Sequence, residues 1–451
     1  MDMEPILKKT SYLLIHFIKN HRKLSLLLIS ITSIFLSYLF YSVYVKSYDV
    51  TVVGNVRKAD GIGSQSINLI QALKGHLSIN FIKTSKPDTT EIPLDIMKVL
   101  KLTNNKVSPF LIFEDGLVHD SFDELLKRLS KKNKWINVNA SERNDQIWIA
   151  YTMVEGSLAY PRHVERINKY FDMAVVPDKF LEKVFKDSGV KVPIFTVPLL
   201  IDYKSHLKTK LKAKANKVFV FTNLSSIDYR KNQLKLVKAF HRAFMNRQDV
   251  RLRINGRFND HFALELTDTL RYIHDNNISN VHITVRKLST IEYNRLLDET
   301  DCLVSASVGE GFSIIPREAM ARGIPVIVSD NTAQSTIASS GFAESVKSDI
   351  LIPGYYPYLD DYPIGNMYDL KVEDLAQGLL NVYNNYEEYL RNAEGARKWA
   401  EKYSFESLAP MYLGIFKPKK VILGDKNEIT PEYLMTNSRV LFDKYNNLLG
   451  K

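Results

Sequence analysis

The sequence predicts an α/β protein of two lobes, each built on a parallel sheet, preceded by a single transmembrane helix. Three observations carry this expectation. At 451 residues the chain exceeds the size at which one hydrophobic core stops growing. Short β-rich runs alternate with helical stretches in two successive series, the pattern of α/β domains with parallel sheets. An apolar run at 24–45, without ionisable side chains other than tyrosine, precedes both series.

Composition narrows the function classes. Hydrophobic residues make up 45% and charged residues 25% of the chain, which argues for ordinary globular lobes and against extensive disorder. The net charge of +11 fits either a Lys-rich solvated surface or attraction to anionic lipid headgroups or an anionic substrate. Nucleic acid is not an expected partner, because zinc-ligand spacing, a basic heptad region and an aromatic RNA-binding signature are all missing. The single cysteine, Cys302, lies in the apolar run Cys302-Leu303-Val304. It excludes an internal disulfide framework and reads as a buried strand residue rather than a nucleophile.

The elements follow in chain order. Residues 1–23 form a basic tail, and the run at 24–45 is bounded by Lys23 and Lys46. That run is long enough to span a bilayer, and too long, with no small-residue cleavage pattern, for a signal peptide. Lys8, Lys9, Lys19, Arg22 and Lys23 precede it while Lys46, Arg57 and Lys58 follow, so the positive-inside rule leans toward a cytosolic N-terminus and a body on the opposite face. The first lobe, 46–203, is expected to contain strands at 48–54, 79–83, 109–113, 135–138, 147–152, 173–176 and 194–197, with a glycine-containing loop at 57–65 and a helix at 66–74. Residues 204–217 are lysine-rich and read as a linker. The second lobe, 218–405, is expected to have strands at 218–222, 250–255, 281–285, 302–305 and 325–328, with helices at 233–246, 263–274, 290–299 and 315–321 and helical character over 372–403. An extension at 406–451 carries a last helix at 431–449.

The most informative segment begins at Ser305, runs through Gly309, Glu310, Gly311 and Phe312, and enters a helix in whose first turn Pro316 is acceptable. It starts at the carboxyl end of a predicted strand, the edge at which open α/β sheets bind ligands. Gly309 and Gly311 permit close backbone approach, and the helix N-terminus offers N–H groups to a diphosphate. Glu310 and Glu318, with seven residues between them, put one carboxylate in the loop and the other inside the helix. Carboxylates accept hydrogen bonds from hydroxyls, so such a pair can hold a sugar and a ribose, although singly each also fits a helix-terminus or solvated role. A second constellation, Asp228-Tyr229-Arg230-Lys231-Asn232, directly precedes a helix. Cations there oppose the helix macrodipole unless an anion joins them, and a diphosphate is such an anion.

Glu310-Gly311-Phe312 followed by Glu318-Ala-Met-Ala-Arg-Gly-Ile-Pro-Val-Ile327 resembles the signature of the family-four retaining glycosyltransferases of the GT-B fold. The resemblance extends in pieces from Tyr48 to Tyr403 through Asp301-Cys-Leu-Val-Ser-Ala-Ser307, Leu252-Arg-Ile-Asn-Gly256 and Val197-Pro-Leu-Leu-Ile-Asp202. It implies two Rossmann-like lobes facing a central cleft, and glycosyl transfer from a nucleotide-sugar donor with retention of anomeric configuration. By the same resemblance Glu310 contacts the transferred sugar, Glu318 the ribose, the backbone of Gly311 and Phe312 the donor, and Lys231 the diphosphate. The family's arginine lies five residues before this lysine, where the chain has Ser226, so Arg230 is the expected replacement. Gly61-Ile-Gly63 is similar to a glycine loop near donor phosphate and acceptor, His119 to a histidine near the transferred sugar, and Glu155 is an acceptor-side candidate. A tight turn and a surface loop are the plain alternatives for the glycines and the histidine. No cofactor and no metal are implied, since basic side chains and helix N-termini stabilise the departing diphosphate. The acceptor is a glycan, a lipid-linked glycan or a protein, reached from a membrane anchor. A nucleotide-sugar epimerase, a phosphorylase or a catalytically silent sugar-nucleotide binder is the rival reading on the same architecture.

Overall fold

The computed structural model describes residues 30–34, 48–57, 61–86, 88, 90–100, 108–114, 117, 122–132, 136–139, 143, 145–207, 211–257, 263–356, 362–416 and 444. Of the predicted span only 30–34 are described, and they are helical; the basic tail, His119 and, apart from Lys444, the predicted last helix lie outside the described residues. Among the described residues no helix is long and apolar enough to cross a membrane.

Two six-stranded parallel sheets form the body. The first contains β1 (Val50–Gly54), β2 (Ile79–Lys83), β3 (Phe110–Phe113), β4 (Ile147–Tyr151), β5 (Met173–Val176) and β6 (Ile194–Thr196) in the order β2-β1-β3-β4-β5-β6. The second contains β7 (Phe219–Leu224), β8 (Val250–Gly256), β9 (Val281–Val285), β10 (Cys302–Ser305), β11 (Val326–Asp330) and β12 (Ala343–Lys347) in the order β12-β11-β10-β7-β8-β9. The inner strands of the first sheet are buried throughout, as in Val50-Thr-Val-Val-Gly54 and Ile147-Trp-Ile-Ala-Tyr151, because helices cover both faces of a parallel sheet. In each sheet the strand order reverses once, between β1 and β3 and between β7 and β10. Ligands of open α/β sheets bind at such switch points, outside the carboxyl ends of the strands.

Three features differ from the sequence-based expectation. Of the strand expected at 135–138, the described residues 136–138 are not a strand: β3 pairs directly with β4, Phe110 opposite Ile147, which leaves no room between them, and Ile136 buries its side chain from an irregular segment. The first helix starts at Gly61 and ends at Leu73, so Gly61 and Gly63 belong to its first turn instead of a loop. The low helix propensity of glycine is overridden by a tertiary contact, since a Cβ on Gly63 would lie 2.5 Å from the backbone nitrogen of Arg57. An antiparallel hairpin, β13 (Ile350–Tyr356) and β14 (Tyr362–Asp369), follows β12.

After the helices Val372–Asn384, Tyr386–Arg391 and Ala393–Ala400, the helix Phe405–Phe416 crosses back to the first lobe. Gln65 donates to the phenol of Tyr412 at 3.0 Å, Tyr412 bonds the carbonyl of Pro198 at 2.9 Å, and Phe416 stands edge-on to Phe110. The two chain crossings run side by side, with Ile201 N donating to Tyr403 O at 2.9 Å. One apolar core is therefore continuous from β1 through this helix to β10 and β11. Cys302 is fully buried in the other core of the second lobe, where burial pushes its thiol well above the ordinary range.

Candidate active site

The carboxyl ends of β7 and β10, the neighbours at the second sheet's switch point, each deliver a loop into the interlobe cleft. From β7 the chain forms a short turn, Tyr229–Lys231, closed by Asp228, whose carboxylate accepts from Arg230 N at 2.9 Å. Asn232, at φ 61, then redirects the chain into the helix Gln233–Phe244. From β10 the chain runs through Gly309 and Glu310 into the helix Ile314–Ala321. The two loops are tied by Val308 N donating to Arg230 O at 2.9 Å.

This packing assembles a charge cluster. Glu310 is buried, accepts a hydrogen bond from Lys231 Nζ, and lies 3.3 Å from Arg230 Nη1. Its backbone is fixed by Thr332, whose hydroxyl accepts from Glu310 N at 2.9 Å. Arg230 also donates to Gly309 O at 2.7 Å and reaches Glu155 of the first lobe at 3.7 Å. Burial raises the Glu310 pKa, but the two cations and the Lys231 hydrogen bond outweigh it and hold the carboxyl at about 2. Burial and the neighbouring Arg230 push Lys231 below its ordinary range against the pull of Glu310. Burial lowers Arg230 too, yet Glu155 and Glu310 together raise it above its usual value. The anion that joins the two cations at this helix entrance is Glu310.

Glu318 occupies a separate position one turn inside the helix. It accepts from the phenol of Tyr293 and lies 3.7 Å from His206 Nε2. His206 Nδ1 accepts from Arg322 Nε at 3.0 Å, which leaves the ring proton on Nε2, facing Glu318. Burial raises the Glu318 pKa, but His206, Tyr293 and Arg322 together lower it, so the carboxylate is aimed and ionised. His206 comes from the short linker helix Tyr203–His206 and Tyr293 from the helix Thr290–Asp298. Neither has a local sequence signal, since their roles exist only once the linker packs on the second lobe.

The cleft between the lobes has a volume of about 1720 Å³ and is lined by Arg230, Lys231, Glu310, Gly311, Phe312 and Glu318. With Glu155, which also lines it, the cleft brings together seven of the sequence-predicted residues. The glycines also make room for the first lobe. A Cβ on Gly309 would lie 2.1 Å from the carbonyl oxygen of Glu155, and one on Gly311 would lie 2.8 Å from the Met153 side chain, so both accommodate the first lobe. At the first sheet's switch point the cleft is lined by Arg57 and Ser64, while Gly63 is pressed against the Arg57 backbone. Arg317, inside the signature, is fully buried over the Phe312 ring at 3.9 Å and 3.7 Å from Asp178 of the first lobe. Among the described residues no group of three or more His, Cys, Asp or Glu is arranged to hold a metal ion.

Residues 207–399, which take in most of the second lobe, match the family model for Glycosyl transferases group 1. No curated protein sequence matches the chain. Solved structures share its architecture. HepE from Anabaena, in complex with UDP and glucose, has 11% identity over 82% of this chain and 99% of its own, with a TM-score of 0.57. A glycosyltransferase from Rickettsia africae has 14% identity over 83% and 98%, with a TM-score of 0.57. TarM from S. aureus, in complex with fondaparinux, α-GlcNAc-glycerol and UDP, has 16% identity over 72% and 58%, with a TM-score of 0.51. At these identities the likeness is one of fold: two parallel-sheet α/β lobes around a cleft, as in GT-B proteins.

Proposed function

We propose that the chain transfers a sugar from a nucleotide-sugar donor to an acceptor hydroxyl with retention at the anomeric carbon, working from an N-terminal membrane anchor. The observation that carries this reading is the meeting of Lys231, Arg230 and Glu310 at the β7–β10 switch point, with Glu318 held separately by Tyr293 and His206.

In this reading Glu318 takes the ribose hydroxyls and Glu310 those of the transferred sugar, while Lys231 and Arg230 meet the diphosphate. The bond between the anomeric carbon and the diphosphate oxygen breaks, and the acceptor oxygen bonds to that carbon. The departing diphosphate, its growing charge stabilised by the two cations, takes the acceptor's proton. Gly311 and Phe312 form the backbone wall beside the donor. HepE, bound to UDP and glucose, and TarM, bound to UDP and α-GlcNAc-glycerol, make a UDP-sugar the first donor to try.

The test is a panel of nucleotide sugars incubated with the full chain, reading release of nucleoside diphosphate and the anomeric configuration of any product. Release from one donor, with a retained product, is expected. A chain that neither binds nucleoside diphosphate nor cleaves any donor refutes the reading. For the anchor, a version lacking residues 1–46 is expected to leave the membrane fraction. Persistent sedimentation with membranes while folded would refute the anchor at 24–45.

A further inference from the structure

The helix that presents Glu318 to the cleft turns Arg317 the other way, to the side where the first lobe packs. Neither Arg317 nor Asp178, its first-lobe neighbour, lines the cleft, so neither meets a ligand there. Arg317 is fully buried, and its Nη1 donates to the carbonyl of Phe312 and, at 3.0 Å, to that of Ser313. The guanidinium lies on the Phe312 ring and faces that of Tyr403 at 4.7 Å. Its Nε and Nη2 have no hydrogen-bond partner among the described residues. Burying an arginine on such terms is costly, and an apolar side chain of similar length would fill the space with less penalty. Packing alone therefore does not account for this residue.

The loop that Arg317 holds does account for it. Ser313 stands at φ 65, a left-handed backbone that costs a residue with a Cβ roughly 1–2 kcal/mol. Two side chains keep it there: Arg317 on its carbonyl, and Gln334, whose amide donates to its hydroxyl at 3.3 Å. Gly311 and Phe312, immediately before it, line the cleft beside Glu310. Asp178, two residues past β5, reaches both supports of this loop from the first lobe. Its Oδ2 lies 3.7 Å from Arg317 Nη2 and accepts from Thr336 Oγ1 at 2.8 Å. Thr336 belongs to the short helix Ser335–Ala338, which continues the turn Thr332–Gln334. In that turn Thr332 Oγ1 accepts from Glu310 N at 2.9 Å, and Ala333 N donates to Glu310 O at 3.2 Å.

We propose that Asp178 and Arg317 are positioning residues for glycosyl transfer: the first lobe's carboxylate fixes the guanidinium, and the guanidinium fixes the backbone that carries Glu310, Gly311 and Phe312 against the transferred sugar. Asp178 acts through Arg317 and touches no reacting atom. Glu318, Lys231 and Arg230, which take the ribose and the diphosphate, have supports of their own in Tyr293, His206, Asp228 and Glu155. The pair therefore governs the placement of the sugar more than the hold on the nucleotide. The inference rests on the glycosyltransferase reading and adds to it two residues outside the cleft on which turnover depends.

The experiment uses the full chain with D178N, R317M and the double variant. Asparagine keeps the size of Asp178 and its bond from Phe180 N, and removes the charge opposite Arg317. Methionine keeps the stem of Arg317 and removes its donors. Four quantities are read: kcat with donor, UDP affinity by calorimetry, thermal midpoint, and hydrogen exchange of peptides covering 308–316. Each single variant is expected to lower kcat by about ten- to a hundredfold, as a small misplacement near reacting atoms does, and to hold UDP within about threefold of the parent. Exchange over 308–316 should quicken by about tenfold. The double variant should turn over like R317M, because the carboxylate acts only through the guanidinium. A purely structural pair would move the thermal midpoint and leave kcat of the folded protein unchanged. Three outcomes overturn the proposal: a folded D178N with the parent's kcat, UDP affinity that falls as far as kcat, and losses that multiply in the double variant. If R317M does not fold, D178N against the parent decides alone. A parent that cleaves no donor refutes the glycosyltransferase reading instead, and exchange over 308–316 then still decides whether Asp178 holds the loop.

Discussion

Replacing Glu310 with glutamine is expected to move binding and turnover in opposite directions. Glu310 partly neutralises both Lys231 and Arg230. Two oxygens that each hydrogen-bond the same ammonium are separated by roughly 5 Å, so a diphosphate held by Lys231 would sit at about that distance from the Glu310 carboxylate. Two like unit charges so spaced repel by roughly 3 kcal/mol at an effective dielectric near 20 and by roughly 1 kcal/mol in water. Glutamine keeps the side chain's size and removes its charge. Affinity for free UDP should therefore rise between about fivefold and about a hundredfold. Turnover of the intact donor should fall by about ten- to a hundredfold, since each charge-assisted bond to a sugar hydroxyl is worth roughly 1.5–3 kcal/mol. Calorimetry with UDP and initial rates with donor, on parent and E310Q, read the two effects separately. A folded E310Q that binds UDP no more tightly than the parent would refute the argument that Glu310 competes with the diphosphate for these cations.

Glu318→Ala should weaken UDP binding by about ten- to a hundredfold through loss of the ribose contact, and calorimetry that finds parent-like affinity would remove Glu318 from the donor site. Lys231→Ala should flatten the fall of stability in acid. The folded Glu310 carboxyl, held at about 2, lies below its ordinary 4.5, so its contribution to stability is present above 4.5 and is lost as pH falls toward 2. Without Lys231 the folded carboxyl rises toward 4.5, so less of that contribution exists to be lost, visible as a smaller drop in unfolding free energy between pH 5 and pH 3 in urea titrations followed by tryptophan fluorescence; an unchanged drop would count against the pairing. Gly309→Ala should cost about 1–3 kcal/mol, because the new Cβ meets the Glu155 carbonyl, and a thermal midpoint equal to the parent's would show that this contact between the lobes yields freely.

Much of the second lobe was legible because its strands are short apolar runs ending in glycine-bearing loops, and because Glu310, Glu318 and Lys231 stand in a recognisable spacing. Strands β9 and β10 coincide with their expected bounds, since Val281–Val285 and Cys302–Ser305 end where polar turn residues begin. The hairpin was not legible. Tyr362-Pro-Ile-Gly-Asn-Met-Tyr-Asp369 contains a proline and a glycine and alternates poorly, and its register is set by the first-lobe residues Ser157 and Leu158, far away in sequence. The same holds for Arg230. Its adjacency to Lys231 was plain, but its bridging position between Glu155 and Glu310 depends on both sheets closing the cleft. Nothing local at Gly309 and Gly311 announces the close approach of the first lobe that their missing Cβ atoms permit.

The helix Phe405–Phe416 makes the second lobe a guest inserted into the first. As the chain leaves the ribosome, the first sheet emerges early, but the apolar surface around Phe110 and Tyr151 stays uncovered until the whole guest has been made and this helix arrives. The first lobe is thus begun first and completed last, an order that favours the guest folding on its own in the interval. The same arrangement suits transplantation. Both ends of the guest lie within a single hydrogen bond of each other, at Ile201 and Tyr403, so a lobe with a different donor preference could be exchanged through two neighbouring cuts without stretching either junction.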